Sequence, residues 1–119
     1  MKICISAKDA AATAETDPRF GRARAFCFYE TETGEYDCIE NGPGAPGGAG
    51  VQTAQTVIDR GAQVVLTGSV GPNAFRVLRA AGVAVYADVS GTVESAVAAY
   101  KGGRLTETAA PTNAGHNPR

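Results

Sequence analysis

The chain has 119 residues, a formal net charge of −1 and a hydrophobic fraction of 44%, which fits one core of ordinary size and excludes a highly charged disordered chain. The same near-neutral balance argues against a general nucleic-acid binder, which carries a strong basic excess. Alanine and glycine supply 37 residues, whereas valine, isoleucine, leucine and phenylalanine supply 22, so the expected core is one of small side chains and closely approaching backbones.

Lys2-Ile3-Cys4-Ile5-Ser6-Ala7 reads as a first strand. Charge returns at Lys8-Asp9, too early for the apolar segment of a signal peptide, and no apolar run reaches the roughly 18 residues of a membrane span. A cytoplasmic protein without membrane contact is expected. Residues 8–22 are polar and aperiodic, carry Asp17-Pro18-Arg19-Phe20-Gly21-Arg22, and read as a long loop, a feature that is uncommon in small domains and often functional. Arg24–Glu30 and Glu35–Glu40 are the second and third strands, joined as a hairpin through Thr31-Glu32-Thr33-Gly34 with Gly34 in the left-handed position. That turn places Phe28 near Cys38 and puts Cys27 and Cys38 on opposite faces. A slip of one residue puts the two cysteines on the same face, and both registers are compatible with the sequence.

Asn41–Gly50 is rich in glycine and proline and reads as a loop. From Val51 the period turns helical, with Val51, Ala54, Val57 and Ile58 on one face and Gly61 as the stop. Ala62–Thr67 is a continuous apolar run, the mark of a strand buried on both faces. Gly68-Ser69-Val70-Gly71 leads into a helix with Pro72 at its first position and Ala74, Val77, Leu78 and Ala81 facing the core. Val83–Ala87 is a fifth strand. Val93, Ala96, Val97 and Tyr100 mark a last helix, stopped by Gly102-Gly103. The order β-β-β-α-β-α-β-α predicts an α/β domain over residues 1–110, a mixed five-stranded sheet with helices on both faces in three layers, followed by a tail over 111–119.

In open α/β sheets ligands bind beyond the carboxyl ends of the strands. That edge gathers the 8–22 loop, Thr67-Gly68, the helix start at Gly71-Pro72-Asn73 and the helix start that follows Gly47-Gly48-Ala49-Gly50. Helix starts present unpaired N–H groups and partial positive charge, glycine lets a ligand touch backbone, and Arg19, Arg22 and Arg24 add charge, a set suited to an anion. Taken singly, glycines before helices also serve as turns, and arginines in loops are commonly solvated.

Other chemistry lacks its parts. Gly42-Pro43-Gly44-Ala45-Pro46-Gly47 satisfies the dinucleotide spacing but holds two prolines and lacks the acidic partner, and no lysine follows a glycine run as a phosphate loop requires. His116, the single histidine, sits in the tail, so a nucleophile–histidine pair would need that tail to fold back. A metal-dependent hydrolase would need carboxylates on its strands, where the first strand offers Cys4 and Ser6 and the fourth none. Cys4, Cys27 and Cys38, odd in number and without a close pair, read as reduced, packed thiols and not as metal ligands. A cluster held here would be a preassembled anion gripped by backbone N–H groups and arginines, and no enzyme activity is expected.

Asp17-Pro18-Arg19-Phe20-Gly21-Arg22-Ala23, Gly47-Gly48-Ala49-Gly50 and Thr67-Gly68-Ser69-Val70-Gly71-Pro72-Asn73-Ala74-Phe75 resemble, in residues and spacing, the dinitrogenase iron–molybdenum cofactor biosynthesis family over about residues 1–110. The ending Asn113-Ala114-Gly115-His116 is similar to the family's as well. The resemblance implies a ribonuclease H-like fold and a small monomeric carrier or storage protein for a metal–sulfide cluster. The cluster would be of the molybdenum–copper or iron–molybdenum precursor type, exchanged with donor or acceptor proteins. The short, alanine-rich chain is similar to the orange-protein branch, which holds a molybdenum–copper sulfide cluster without covalent attachment. The site residues so implied are Arg19, Phe20, Gly21, Arg22, Gly47, Gly48, Ala49, Gly50, Thr67, Gly68, Gly71, Pro72, Asn73, Ala74, Phe75 and His116, with Phe20 and Phe75 as an apolar wall. The alternative is an interaction or regulatory module whose glycine-rich edge binds a protein partner or a small phosphorylated ligand.

Overall fold

A computed structural model describes residues 1–41 and 49–109; Gly47, Gly48, His116 and the expected tail lie outside the described residues. The elements are β1 (Lys2–Ala7), β2 (Ala25–Glu30), β3 (Tyr36–Glu40), α1 (Ala49–Asp59), β4 (Ala62–Leu66), α2 (Pro72–Ala80), β5 (Ala84–Tyr86) and α3 (Val93–Lys101). They form one sheet of order β3-β2-β1-β4-β5. β1 and β2, and β2 and β3, are antiparallel, while β1–β4 and β4–β5 are parallel. The α/β architecture with a mixed five-stranded sheet is the one read from the sequence.

Alternation along the central strands divides the core into two layers. Cys4, Phe26, Phe28 and Val65 face α1 and α2, where Ala54, Val57, Ala74 and Leu78 cover them. Ile3, Ile5, Cys27, Tyr29, Val64 and Leu66 face α3, meeting Val93, Ala96 and Val97. β1 and β4 read as near-continuous apolar runs because each is covered on both sides. Two residues expected in the core are outside it. Val51 is 41% exposed, in the first turn of α1 ahead of the buried face formed by Ala54 and Val57. Ala81 is exposed because it is the C-cap of α2, after the face formed by Ala74 and Leu78.

The hairpin register and the cysteines also depart from expectation. Gly34 has φ +77° as the turn requires, but the loop is one residue longer, four residues between Glu30 and Glu35 instead of three between Thr31 and Glu35, with Gly34 N–H donating to Glu30 O at 2.8 Å and Glu30 N–H to Glu35 O at 3.0 Å. Cys27 therefore pairs with Cys38, and Phe28 with Asp37. This register places the Tyr29 and Tyr36 rings on one face with centroids 4.8 Å apart, a cross-strand contact that favours it. With Cα atoms 4.0 Å apart, Cys27 and Cys38 are joined as a disulfide, so the reduced-thiol expectation is corrected for this pair and retained for Cys4.

Cys4 is fully buried, and burial pushes its thiol well above the ordinary thiol range. The unfolded chain ionises this group above about pH 8.5 while the folded chain keeps it neutral, so the unfolded state binds fewer protons there and stability falls as pH rises. The expected slope is about 1.4 kcal/mol per pH unit just above that range for one proton. Denaturant midpoints of the parent and Cys4→Ala between pH 8 and 10 check this: the variant should lack that component, and parallel curves would refute it.

Candidate functional site

The long segment after β1 is two structures. Its first half closes the start of α3. Thr16 N–H donates to Gly91 O (2.8 Å), Val93 N–H to Ala14 O (2.8 Å) and Glu94 N–H to Ala12 O (3.1 Å). Thr92 and Ser95 complete a reciprocal capping box. The N-terminal donors of α3 are thus consumed within the fold.

The second half turns towards α1 and α2 and is organised by Asp17, 1% exposed. Asp17 N–H donates to Ser6 O at 2.9 Å. Its Oδ1 accepts from Arg19 N–H at 3.0 Å and Arg19 Nε at 3.4 Å, and its Oδ2 from Arg24 N–H at 3.4 Å. Ser6 Oγ lies 2.6 Å from Asp17 O and 2.8 Å from Thr67 Oγ1. A carbonyl can only accept, so Ser6 donates to Asp17 O and Thr67 donates to Ser6, tying the ends of β1 and β4 to the loop. Ser69 N–H donates to Pro18 O at 2.7 Å and Phe20 N–H to Ser69 O at 3.2 Å. Gly68 makes this contact possible, since a Cβ there would lie 2.5 Å from Pro18 Cα.

α2 starts at the same place and is open. Its N-cap Gly71 offers no side-chain cap, and Pro72 fills the first position. Phe75 N–H is bonded to Gly71 O at 3.0 Å, while the Asn73 and Ala74 N–H groups have no partner among the described residues. The first turn of α1 lies alongside. A Cβ on Gly50 would sit 3.4 Å from Ala74 Cβ, and Thr53 Oγ1 donates to Gly21 O at 3.4 Å. Arg19, Gly21, Gly50, Gly68, Gly71, Pro72, Asn73 and Ala74 are therefore brought to one edge of the sheet. Among the described residues, the Arg19 side chain meets Asp17 through Nε and its terminal nitrogens have no partner, and Arg22 and Arg24 are exposed without an ion pair.

Other expected site residues serve differently. Phe20 is 2% exposed and packs edge-on against Phe26, with ring centroids 5.6 Å apart. Phe75 is 8% exposed under Arg79, whose guanidinium carbon is 5.4 Å from the ring centroid. Both rings belong to the core, and neither forms an open wall; exposed apolar side chains near this edge are Pro18, Val51 and Pro72. Thr67 is buried with its hydroxyl on Ser6, so it positions the loop. Of Ala49, the structure describes the backbone, in the first turn of α1. Asp17, Ser6, Thr53 and Asn41 were not among the expected site residues. The available signal was Asp17-Pro18, a short acid of the kind that bonds backbone two residues on. Among the described residues, no group of three or more His, Cys, Asp or Glu could hold a metal ion.

Residues 1–103 match the dinitrogenase iron–molybdenum cofactor family. The chain is similar to the apo form of the orange protein from Desulfovibrio gigas, with 38% identity, a TM-score of 0.88 and coverage of 94% of this chain and 96% of that one. It is also similar to a putative NifB protein from Thermotoga, with 34% identity, a TM-score of 0.84 and coverage of 96% and 98%. An uncharacterised protein of Methanocaldococcus jannaschii is 27% identical over 92 residues, covering 74% of this chain and 78% of that protein.

Proposed function

The chain belongs to the dinitrogenase iron–molybdenum cofactor family, and from that premise we propose that it is a small, non-enzymatic carrier or storage protein holding an anionic metal–sulfide cluster noncovalently. The observation that carries this reading is the open start of α2 beside exposed arginines, in a chain whose α3 start is closed. A thiometallate cluster is a compact multiply charged anion whose sulfides already satisfy its metals. It needs donors and charge, which backbone N–H groups and guanidinium supply, and it needs no protein thiolate. Cys4 is buried and neutral, and Cys27 and Cys38 are bonded to each other, which agrees with cargo held without sulfur exchange. Val51 offers the soft sulfide surface an apolar contact.

The residues proposed to hold the cargo are Arg19, Arg22, the backbone of Gly68, Gly71, Asn73 and Ala74, and the first turn of α1 at Ala49-Gly50. Gly47, Gly48 and His116 remain proposed members on the family resemblance. A molybdenum–copper or iron–molybdenum precursor cluster fits this set. With no covalent bond to break, handover to an acceptor protein requires only that the acceptor offer better ligands. No helix among the described residues is long and apolar enough to cross a membrane, and we place this exchange in the cytoplasm with a monomeric protein.

Loading with tetrathiomolybdate and copper, desalting, and then visible absorption and metal analysis test the proposal. Metal retained at a fixed ratio to protein is expected, and none retained under any loading would overturn it. Arg19→Ala with Arg22→Ala should weaken retention about 10- to 100-fold, a total of about 1.5–3 kcal/mol that matches one hydrogen bond to a charged group, with the fold intact and Tm lowered only by loss of the Arg19 Nε–Asp17 bond. The same donors also suit phosphate. Inorganic phosphate that binds without metal, while thiomolybdate does not, would favour the phosphorylated-ligand module instead.

A further inference from the structure

We infer that the Cys27–Cys38 disulfide is a redox-active site that regulates the cargo edge, so that reduction by a dithiol loosens the arginine loop and releases cargo; this rests on the reading above. Among the described residues β3 is an edge strand paired with β2 alone, and the disulfide is a covalent tie between them in addition to the hairpin turn. β3 runs directly into Asn41, whose side-chain Nδ2–H donates to Ala23 O at 2.9 Å and whose N–H donates to Arg24 O at 2.8 Å. Those two carbonyls belong to the loop that carries Arg19, Arg22 and Arg24. The end of β3 is therefore one support of the cargo loop, beside Asp17, Ser69 and Thr53.

The pair is built for attack from one side. Cys38 is half-buried on the edge strand, whereas Cys27 is fully buried. An incoming thiolate bonds to Cys38 Sγ and expels Cys27 as thiolate. The second thiol of the same dithiol then displaces Cys38, so one protein disulfide and one dithiol become two protein thiols and one oxidised dithiol. The reduced state is provided for: Ala11 O lies 3.6 Å from Cys27 Sγ, where a disulfide sulfur has no proton to give but the released thiol does. Other supports of β3, the Tyr29–Tyr36 ring contact and the Arg60–Asp37 pair at 3.8 Å, are noncovalent and survive reduction, so the strand loosens without the sheet coming apart.

The test prepares three apo proteins: oxidised parent, parent reduced with a dithiol and desalted anaerobically, and Cys27→Ser with Cys38→Ser. Each is then loaded with tetrathiomolybdate and copper, so that the reductant never meets the cargo. Thiol titration of the folded reduced protein should find two thiols, with Cys4 silent until denaturation. The reduced parent and the double variant should lose metal at one shared rate, about three- to tenfold faster than the oxidised parent, and reoxidation should restore the slower rate. Equal lifetimes in the oxidised and reduced parent, or a disulfide that resists the dithiol in the folded protein, would overturn the inference. If none of the three proteins retains metal, the carrier reading fails by itself. Amide exchange then decides the inference: faster exchange at Asn41 and along β3 on reduction, with α2 and α3 unchanged, sustains the coupling, and unchanged exchange removes it.

Discussion

Alanine in place of Gly68 should destabilise the protein by about 2–4 kcal/mol and abolish the cargo edge, although it adds one methyl group to a loop. The added Cβ would lie 2.5 Å from Pro18 Cα, 2.7 Å from Pro18 O and 2.8 Å from Pro18 Cβ. All three belong to backbone or a closed ring, so no rotamer change relieves them. Either the clash stays, at about 1–3 kcal/mol for overpacking, or the loop retreats. Retreat breaks the Ser69 N–H to Pro18 O and Phe20 N–H to Ser69 O bonds, each contributing about 0.5–1.5 kcal/mol. Retreat also moves Arg19 away from the start of α2. Gly50→Ala is the internal contrast, because its Cβ would meet Ala74 Cβ at 3.4 Å, an ordinary contact, and should leave stability within about 1 kcal/mol of the parent. Urea midpoints and metal retention of the two variants check the difference. A Gly68→Ala protein as stable as Gly50→Ala would show that the loop is not pinned on β4.

Much of this architecture is legible because the local signals agree with one another. The apolar runs of β1 and β4 need cover on both faces, and helical periods supply it at α1, α2 and α3. The start of α2 is likewise legible, since Gly71-Pro72-Asn73 combines an extended cap with the residue best suited to a first helical position. The rest depends on contacts distant in sequence. Nothing local to Thr92-Val93 reveals that Ala12 and Ala14 will take the donors of α3, yet that closure sets α3 apart from the open start of α2. Phe20, flanked by two candidate arginines, reads as exposed until Phe26 is placed beside it. The hairpin differs from its expected register by one residue, a small error in turn length with a large chemical effect. It brings Cys27 and Cys38 face to face where the shorter, three-residue loop would separate them.

The second large effect is expected at Asp17, a buried acid beside a site proposed for an anion. Its charge opposes the cargo, so its place there needs a structural reason, and the loop supplies one. Both carboxylate oxygens are used, Oδ1 by Arg19 N–H and Nε and Oδ2 by Arg24 N–H. Asp17→Ala removes all three bonds and leaves a void between β1 and the loop, at an expected cost of about 2–4 kcal/mol, moderated because the arginine donors can reach water. Retention should fall at least as far as in Arg19→Ala, since Arg24 is released too. Asp17→Asn separates shape from charge. Its one carbonyl oxygen best serves the two donors from Arg19, which turns its amide NH₂ towards Arg24 N–H, donor against donor, so a loss of about 1–2 kcal/mol is expected. The Asn variant also removes a negative charge from beside the cargo. Its retention should therefore fall less than its stability predicts, whereas in Asp17→Ala the two should fall together. Thermal melts of the apo proteins, read against metal retained after desalting, distinguish the two. An alanine variant that melts with the parent would move the organising role to the Ser6–Thr67 hydroxyl pair, which holds the same turn from the strand side.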